Sequence, residues 1–426
     1  MGGLTMRKFG FYAFIIWVTG VAYMFLYAML QGGFLELLGR FITTDNGGWS
    51  TDMLQTPVKL GGLAAVPTVL LSGILFRKCG LRQVLIPCGA LAALGCLGIA
   101  AAGGLDVHGG SAAGIYKLYF ASAMIVRCAS SLLPLAVWSL VSAFSIRRRG
   151  RRIAAAMMGL PLFYIAAPYL TELVETYLSG DARPVFLAAA GVMALLALPV
   201  RFFTRDWPED AGLYPDGADH APASEPEEPK SLSFWGVFKG RRAWLIWLTC
   251  GPILALAVAG MGMIRSSCAD LPKGPEWLAL GVLLALPVGL IFGLLDDKAG
   301  SPTVALLLAL TPLFPAAGLG LLAFGFTGAA LPVLAAGVAF ILGGMPILLP
   351  CVIAHAYGRQ DYPTASPILL ALLLIPTAAP SLGDILMAYG WTGAAIAAGI
   401  AAVGFLGALL LRTVPDANGA DRGRKT

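Results

Sequence analysis

A few polar residues in this sequence stand inside long apolar runs, and any chemistry has to happen there. Arg127 is the sharpest of them. It lies ten residues beyond Lys117 with no other charge nearby, roughly 15 Å along a helix. A charge that deep costs a few kcal/mol unless it meets a partner or a cavity. Arg127 therefore contacts an anion or tunes a proton site, or it is a structural arginine held between helices by backbone carbonyls. Tyr23 and Tyr27 are four apart and share a helix face, with Gln31 nearer the end of the same run. Their hydroxyls are unfavourable in lipid, so this face lines a cavity or, for Tyr27, sits in an interfacial belt. Tyr164 and Tyr169 repeat the pattern more weakly. Thr377, Ser381 and Asp384 fall at i, i+4 and i+7, a polar stripe ending in an acid. Asp384 is either a proton carrier or a solvated acid at a mouth, and Glu172 and Glu175 have the same two readings. Arg265 reads as a rim charge or a ligand contact, and His355 as an interface residue or a pH switch.

Other chemistries find no support in the sequence. The three histidines, His108, His220 and His355, do not cluster with cysteines or acids, so no metal site is expected. Seven cysteines with no CxxC read as small apolar side chains. No GxxxxGK[ST] is present, which argues against direct drive by ATP, and no cofactor is expected. An intramembrane enzyme would need paired acids, a His–Glu constellation or a metal cluster inside the apolar runs, and none is found.

The elements that must position these residues are membrane helices. The chain has 426 residues, 58% hydrophobic and only 12% charged, with a mean hydropathy of +0.80. So much apolar surface has to face lipid. About 20 apolar residues cross the hydrocarbon core. Twelve spans follow: 10–31, 57–76, 83–103, 115–143, 152–175, 183–203, 243–265, 277–295, 303–324, 328–356, 363–388 and 391–411. The first is too long for a signal-peptide core and reads as a retained helix. With both termini on one side, that side collects 22 of the 29 Lys and Arg residues and the other side six. This bias predicts a multi-pass protein of the cell membrane with both termini cytoplasmic. Basic residues spread over short loops are not a nucleic-acid patch.

One polar segment, rich in Pro, Glu, Asp and Ser, interrupts the spans and reads as a linker. The expected organisation is a six-helix bundle over 1–203, a cytoplasmic linker over 204–240 and a second six-helix bundle over 241–426. The halves echo each other. GILFRKCG (Gly73–Gly80) follows span 2 and GLLDDKAG (Gly293–Gly300) follows span 8, 220 positions later. Span 4 closes on Gly150 after RRR, and span 10 on Gly358 after AY. Repeated halves with a solute site between them are a transporter design.

These features resemble the major facilitator superfamily. The loop GILFRKCGLR keeps the glycines Gly73 and Gly80 and the bases Arg77 and Arg82 of that family's pattern, but has Phe76 near the place of its acid. The second copy keeps the acids Asp296 and Asp297 and the base Lys298. Three segments resemble the oxalate/formate antiporter and monocarboxylate porter group: Trp138–Gly159, RDWPEDAGLYPDG (Arg205–Gly217) and Gly343–Pro363. The resemblance implies two pseudo-symmetric six-helix bundles in an all-α membrane protein. It also implies a conformational latch of ion pairs made by Arg77, Asp296, Asp297, Lys298 and the cluster Arg147–Arg152, including Arg149. Arg127 matches a helix 4 arginine of a superfamily motif whose usual glycine is here Ser131. Spans 8 and 11 lack the cation looked for in carboxylate-carrying members, which counts against a dicarboxylate.

The expectation is a secondary transporter of a small organic anion, a monocarboxylate first, working as a monomer by alternating access with proton coupling or exchange. Arg127, Tyr23, Tyr27, Gln31, Tyr164 and Ser381 would bind the solute, and Asp384 would carry the proton. The alternatives are a carrier of a neutral or cationic solute or drug, and a non-transporting sensor of the same fold.

Overall fold

Backbone amides have no water to bond inside a bilayer, so apolar runs of this length close their hydrogen bonds within helices. The computed structural model describes residues 2–33, 51–104, 112–178, 181–218, 232–269, 271–377, 390–415 and 417. Among these the first half comprises α1 (Gly2–Ala28), α2 (Thr51–Cys79), α3 (Leu81–Gly104), α4 (Ala112–Ser130), α5 (Leu133–Phe144), α6 (Arg149–Met157), α7 (Gly159–Glu172) and α8 (Arg183–Phe203). A short α9 (Phe234–Lys239) leads into the second half. That half comprises α10 (Arg241–Ala269), α11 (Gly274–Ala299), α12 (Ser301–Leu308), α13 (Leu313–Ala323), α14 (Thr327–Gly343), α15 (Met345–Thr377) and α16 (Gly390–Leu411).

Several crossings are broken helices, and the breaks have local causes. Pro134 has no N–H to offer, so α4 gives way to α5 around Ser131 and Leu132. α1 ends in one π-helical turn, Met29–Gly33. Ten stretches among the described residues are long and apolar enough to span a bilayer. One of them, Thr327–Leu374, has 48 residues, about 72 Å of helix against a core of ~30 Å. It is two crossings, parted at Gly358, whose φ of 67° and ψ of −173° interrupt α15. With α16 as the last apolar helix, each of the twelve expected spans holds described helix, and the end of span 363–388, from residue 378, lies outside the described residues.

The bundle is inside-out relative to a water-soluble protein. Leucines such as Leu94 and Leu195 are more than 60% exposed, forming the lipid-facing surface. Within the halves, α3 packs between α4 and α8, and α11 packs on α14. Between the halves, α2 runs along α15 and α6 lies on α11. Glycine permits the second approach. A methyl group on Gly293 would stand 2.6 Å from both the Ala154 Cβ and the Gly150 carbonyl oxygen.

The internal repeat is visible in the backbone. Gly80 and Gly300 both adopt φ of 83°, and each closes its helix with the same turn, Gly80 N–H to the Phe76 carbonyl and Gly300 N–H to that of Asp296. Phe76 thus occupies the place that Asp296 fills in the second half. The segment after α8 is no free tether over its first part. Residues Thr204–Ala218 fold back as two 3₁₀ turns, Pro208–Ala211 and Pro215–Gly217, and bury Leu213 to 2% exposure.

Candidate functional site

Two clusters gather the polar residues, one inside the bundle and one where the halves close. In the first, the π-helical turn at the end of α1 brings the Gln31 backbone to Arg127. Arg127 Nη1 donates to the Gln31 carbonyl at 2.6 Å. The Gln31 amide returns hydrogen bonds to the Arg127 carbonyl (3.0 Å) and to Ser130 Oγ (2.8 Å). That carbonyl also accepts from Ser131 N–H (3.3 Å), where α4 ends. Gly61 of α2 lets the arginine approach, since a side chain there would stand 2.7 Å from Arg127 Cβ. Arg127 is thus tied to one backbone carbonyl, while its buried Nε has no partner among the described residues.

Tyr27 lies within electrostatic range of both Arg127 and Tyr164. Over the Tyr164 ring sits Arg265 of α10, its Cζ 5.3 Å from the ring centroid. Tyr27 thus stands between the Arg127–Gln31 contact and Tyr164, and Tyr164 in turn lies under Arg265, read from sequence as a rim charge or a ligand contact. Each half supplies one guanidinium, and two tyrosines stand near them. Such a set can hold an anionic group by charge-assisted hydrogen bonds. Tyr23 is not part of it. It is buried to 1% and turns its hydroxyl toward α3, 3.9 Å from where a side chain at Gly89 would begin. Glu172 and Glu175 are exposed. His355 is buried, its Nε2 3.2 Å from the Val414 carbonyl. Ser381 and Asp384 lie outside the described residues. No group of three metal-binding side chains occurs among the described residues.

The second cluster closes the halves on the side rich in Lys and Arg, called here the basic face. Asp297 of α11 caps the N-terminus of α6, accepting from Gly150 N–H (2.8 Å), Arg151 N–H (3.3 Å) and Arg151 Nε (2.8 Å). A carboxylate at a helix N-terminus satisfies free donors and complements the dipole; here the cap comes from the other half. Arg149, 1% exposed, donates to the Ala354 carbonyl at 3.0 Å. Arg359 does the reverse, donating to the Ala143 carbonyl at 3.3 Å. Positions 149 and 359 are 210 apart and 143 and 354 are 211 apart, so the repeat exchanges the two contacts. Asp296 is buried and accepts from Ser301 Oγ. Arg77 and Lys298 are exposed and enter no ion pair among the described residues, so only part of the expected set comes together.

The strap after α8 supplies acids that the reading of single residues did not select. Asp206 accepts from Arg82 N–H at the start of α3 (2.9 Å), beside the loop that has Phe76 in place of an acid. Asp216 accepts from Ile146 N–H (2.9 Å), Arg147 N–H (2.7 Å) and Arg152 Nη1 (3.0 Å). Between these two anchors on the first half, Glu209 pairs with Arg359 of the second at 2.6 Å, and the Trp207 ring lies 5.2 Å from that guanidinium. The signal was in RDWPEDAGLYPDG: of its four acids, Asp206, Glu209 and Asp216 reach three separate basic or amide-rich corners, and Asp210 accepts locally from Trp207 N–H.

Residues 11–366 match the Major Facilitator Superfamily. The chain belongs to that superfamily and is a membrane transporter, not an enzyme. Solved structures agree in fold. The transporter FucP in the outward conformation superposes with a TM-score of 0.67 at 17% identity, covering 94% of this chain and 99% of its own. The proton:xylose symporter XylE bound to 6-bromo-6-deoxy-D-glucose gives 0.69 at 14% identity, covering 96% and 97%. A single-residue variant of the E. coli fucose:proton symporter FucP gives 0.66 at 16%, covering 94% and 99%. A comparison with curated protein sequences gives no match.

Proposed function

We propose that this transporter carries a small organic anion, a monocarboxylate in the first instance, by alternating access, with its basic face toward the cytoplasm. The supporting observation is a run of neighbours from Arg127 of one half through Tyr27 and Tyr164 to Arg265 of the other, whose guanidinium lies 5.3 Å from the Tyr164 ring centroid. A carboxylate between two guanidinium groups would be released when the halves separate on either side. Proton coupling through Asp384, and a contact from Ser381, extend the reading to α15 and beyond. A neutral sugar moved with protons is the second reading. It is favoured by the fold neighbours, whose names carry xylose and fucose, and by the tyrosines, which suit hydroxyl partners.

Uptake into proteoliposomes separates the two. Radiolabelled monocarboxylates, fucose and xylose would be compared with and without a pH gradient, for wild type, Arg127→Gln and Arg265→Gln. The anion reading expects carboxylate uptake that falls at least about tenfold in each variant, the size of one lost hydrogen bond to a charged group. Sugar uptake without carboxylate uptake would replace it with the second reading.

A further inference from the structure

Beside α1, the basic face carries a cavity of about 310 Å³ that borders the second cluster and shares Arg151 and Arg152 with it. Its charged wall is Arg148, Arg151 and Arg152, its apolar wall includes Trp17, Phe144 and Ala155, and no acid lines it. We propose that this cavity seats the headgroup of an anionic phospholipid. The inference does not rest on the substrate reading above.

The arginines are not equally occupied. Arg152 is committed, donating to the Phe144 carbonyl (3.3 Å), Ser145 Oγ (2.8 Å) and Asp216 (3.0 Å). Arg151 spends its Nε on Asp297, and its side chain is still 44% exposed. Arg148 is exposed. Arg148, the residue that precedes α6, and Arg151 in its first turn both line the cavity. Together they offer several guanidinium donors to a phosphate.

The shape beyond the arginines selects a lipid over a free anion. The Trp17 indole donates to the Ala155 carbonyl at 3.2 Å and walls two spaces at once. One is the basic cavity; the other is an apolar groove of about 550 Å³ between α1 and α8. That groove follows α1 from Trp17 to Met29, roughly 18 Å of helix, enough to lay an acyl chain along it. Phe11 and Phe14, 50% and 58% exposed, and Phe202 and Phe203, 60% and 45%, add apolar surface at the same end of the bundle, with the Phe11 and Phe203 rings 5.8 Å apart. Basic pockets between membrane helices are suited to anionic headgroups. A phosphate here would also fix Arg151 in the position that bonds Asp297, so an occupied site strengthens closure of the basic face.

The test uses the full-length protein in detergent, titrated with phosphatidylglycerol, phosphatidylcholine and inorganic phosphate, with binding read by native mass spectrometry and by melting temperature. Phosphatidylglycerol should bind and raise the melting temperature, while the other two should not. Arg148→Gln should weaken that binding about fivefold, the worth of one surface arginine toward an anionic lipid. Ala13→Leu, which fills the cavity and leaves every charge in place, should weaken it too. Equal binding of phosphatidylcholine, stabilisation by phosphate alone, or unchanged affinity in both variants would each overturn the proposal.

Discussion

The crossing of α6 and α11 at Gly150 and Gly293 sets how tightly the basic face closes, and Gly293→Ala tests it. The added carbon would stand 2.6 Å from Ala154 Cβ and from the Gly150 carbonyl oxygen, where carbon contacts prefer about 3.5–4.0 Å. Neither atom is the end of a flexible side chain, so the helices must part by about 1 Å. Overpacking of this kind costs ~1–3 kcal/mol, which outweighs the helix preference for alanine over glycine, up to ~1 kcal/mol. The closed arrangement should lose about 5- to 150-fold in population relative to states parted at this face. Cys351 is a native reporter, fully buried behind the crossing, its carbonyl bonded to Ser301 Oγ at 3.0 Å. In a Cys79→Ser background, which removes the exposed thiol, labelling of Cys351 by a maleimide would be followed by peptide mass spectrometry. Gly191→Ala is the control, because a carbon there meets nothing within 4 Å. Cys351 labelling at the wild-type rate in Gly293→Ala would refute the argument that this contact limits opening.

Three further outcomes are expected. Glu209→Gln removes a 2.6 Å ion pair whose arginine is 7% exposed and whose acid is 34% exposed; discounted for that exposure it is worth about 1 kcal/mol, seen as Cys351 labelling a few-fold faster and made smaller by high salt. Gly358→Ala forces a side chain into a backbone region reserved for glycine, so it should cost ~1–3 kcal/mol and lower the melting temperature in detergent. Asp216→Asn keeps a residue type tolerated at the left-handed φ of 57° while removing the charge that holds Arg152; hydrogen exchange should quicken at Ile146, Arg147 and the strap, and stay unchanged in α10.

Much of the fold was legible because a bilayer admits few solutions. Length, hydropathy and loop charge yielded twelve crossings, and the paired glycine motifs indicated a repeat whose two turns now prove to share one φ. The broken crossings were less legible, since Pro134 and Gly358 act through backbone geometry that hydropathy does not register. At the site, depth alone singled out Arg127, and helical spacing brought in Tyr27 and Gln31. Spacing also put Tyr23 on the same face, but a helix surrounded by neighbours has no empty side, and Tyr23 faces α3. Arg265 was undervalued because its place near a helix end says nothing of the ring beneath it. The latch drew on a pattern centred on loops 2–3 and 8–9. Asp297 does meet the cluster Arg147–Arg152 through Gly150 and Arg151, but the further pairs involve Glu209, Asp216 and Arg359, far apart in sequence and invisible to any local rule.

The strap also fixes where the chain could be cut. Asp206, Glu209 and Asp216 all precede Ala218, and two of the three grip the first half. A protein produced as two separate polypeptides, divided after Ala218, would keep its clasp on Arg359 when the fragments meet in the membrane. The same division made before Thr204 would move that clasp to the wrong fragment, leaving Glu209 on the polypeptide that already holds Arg359. In this transporter the connection between the halves is therefore needed as a ligand of the first half more than as a covalent bond to the second.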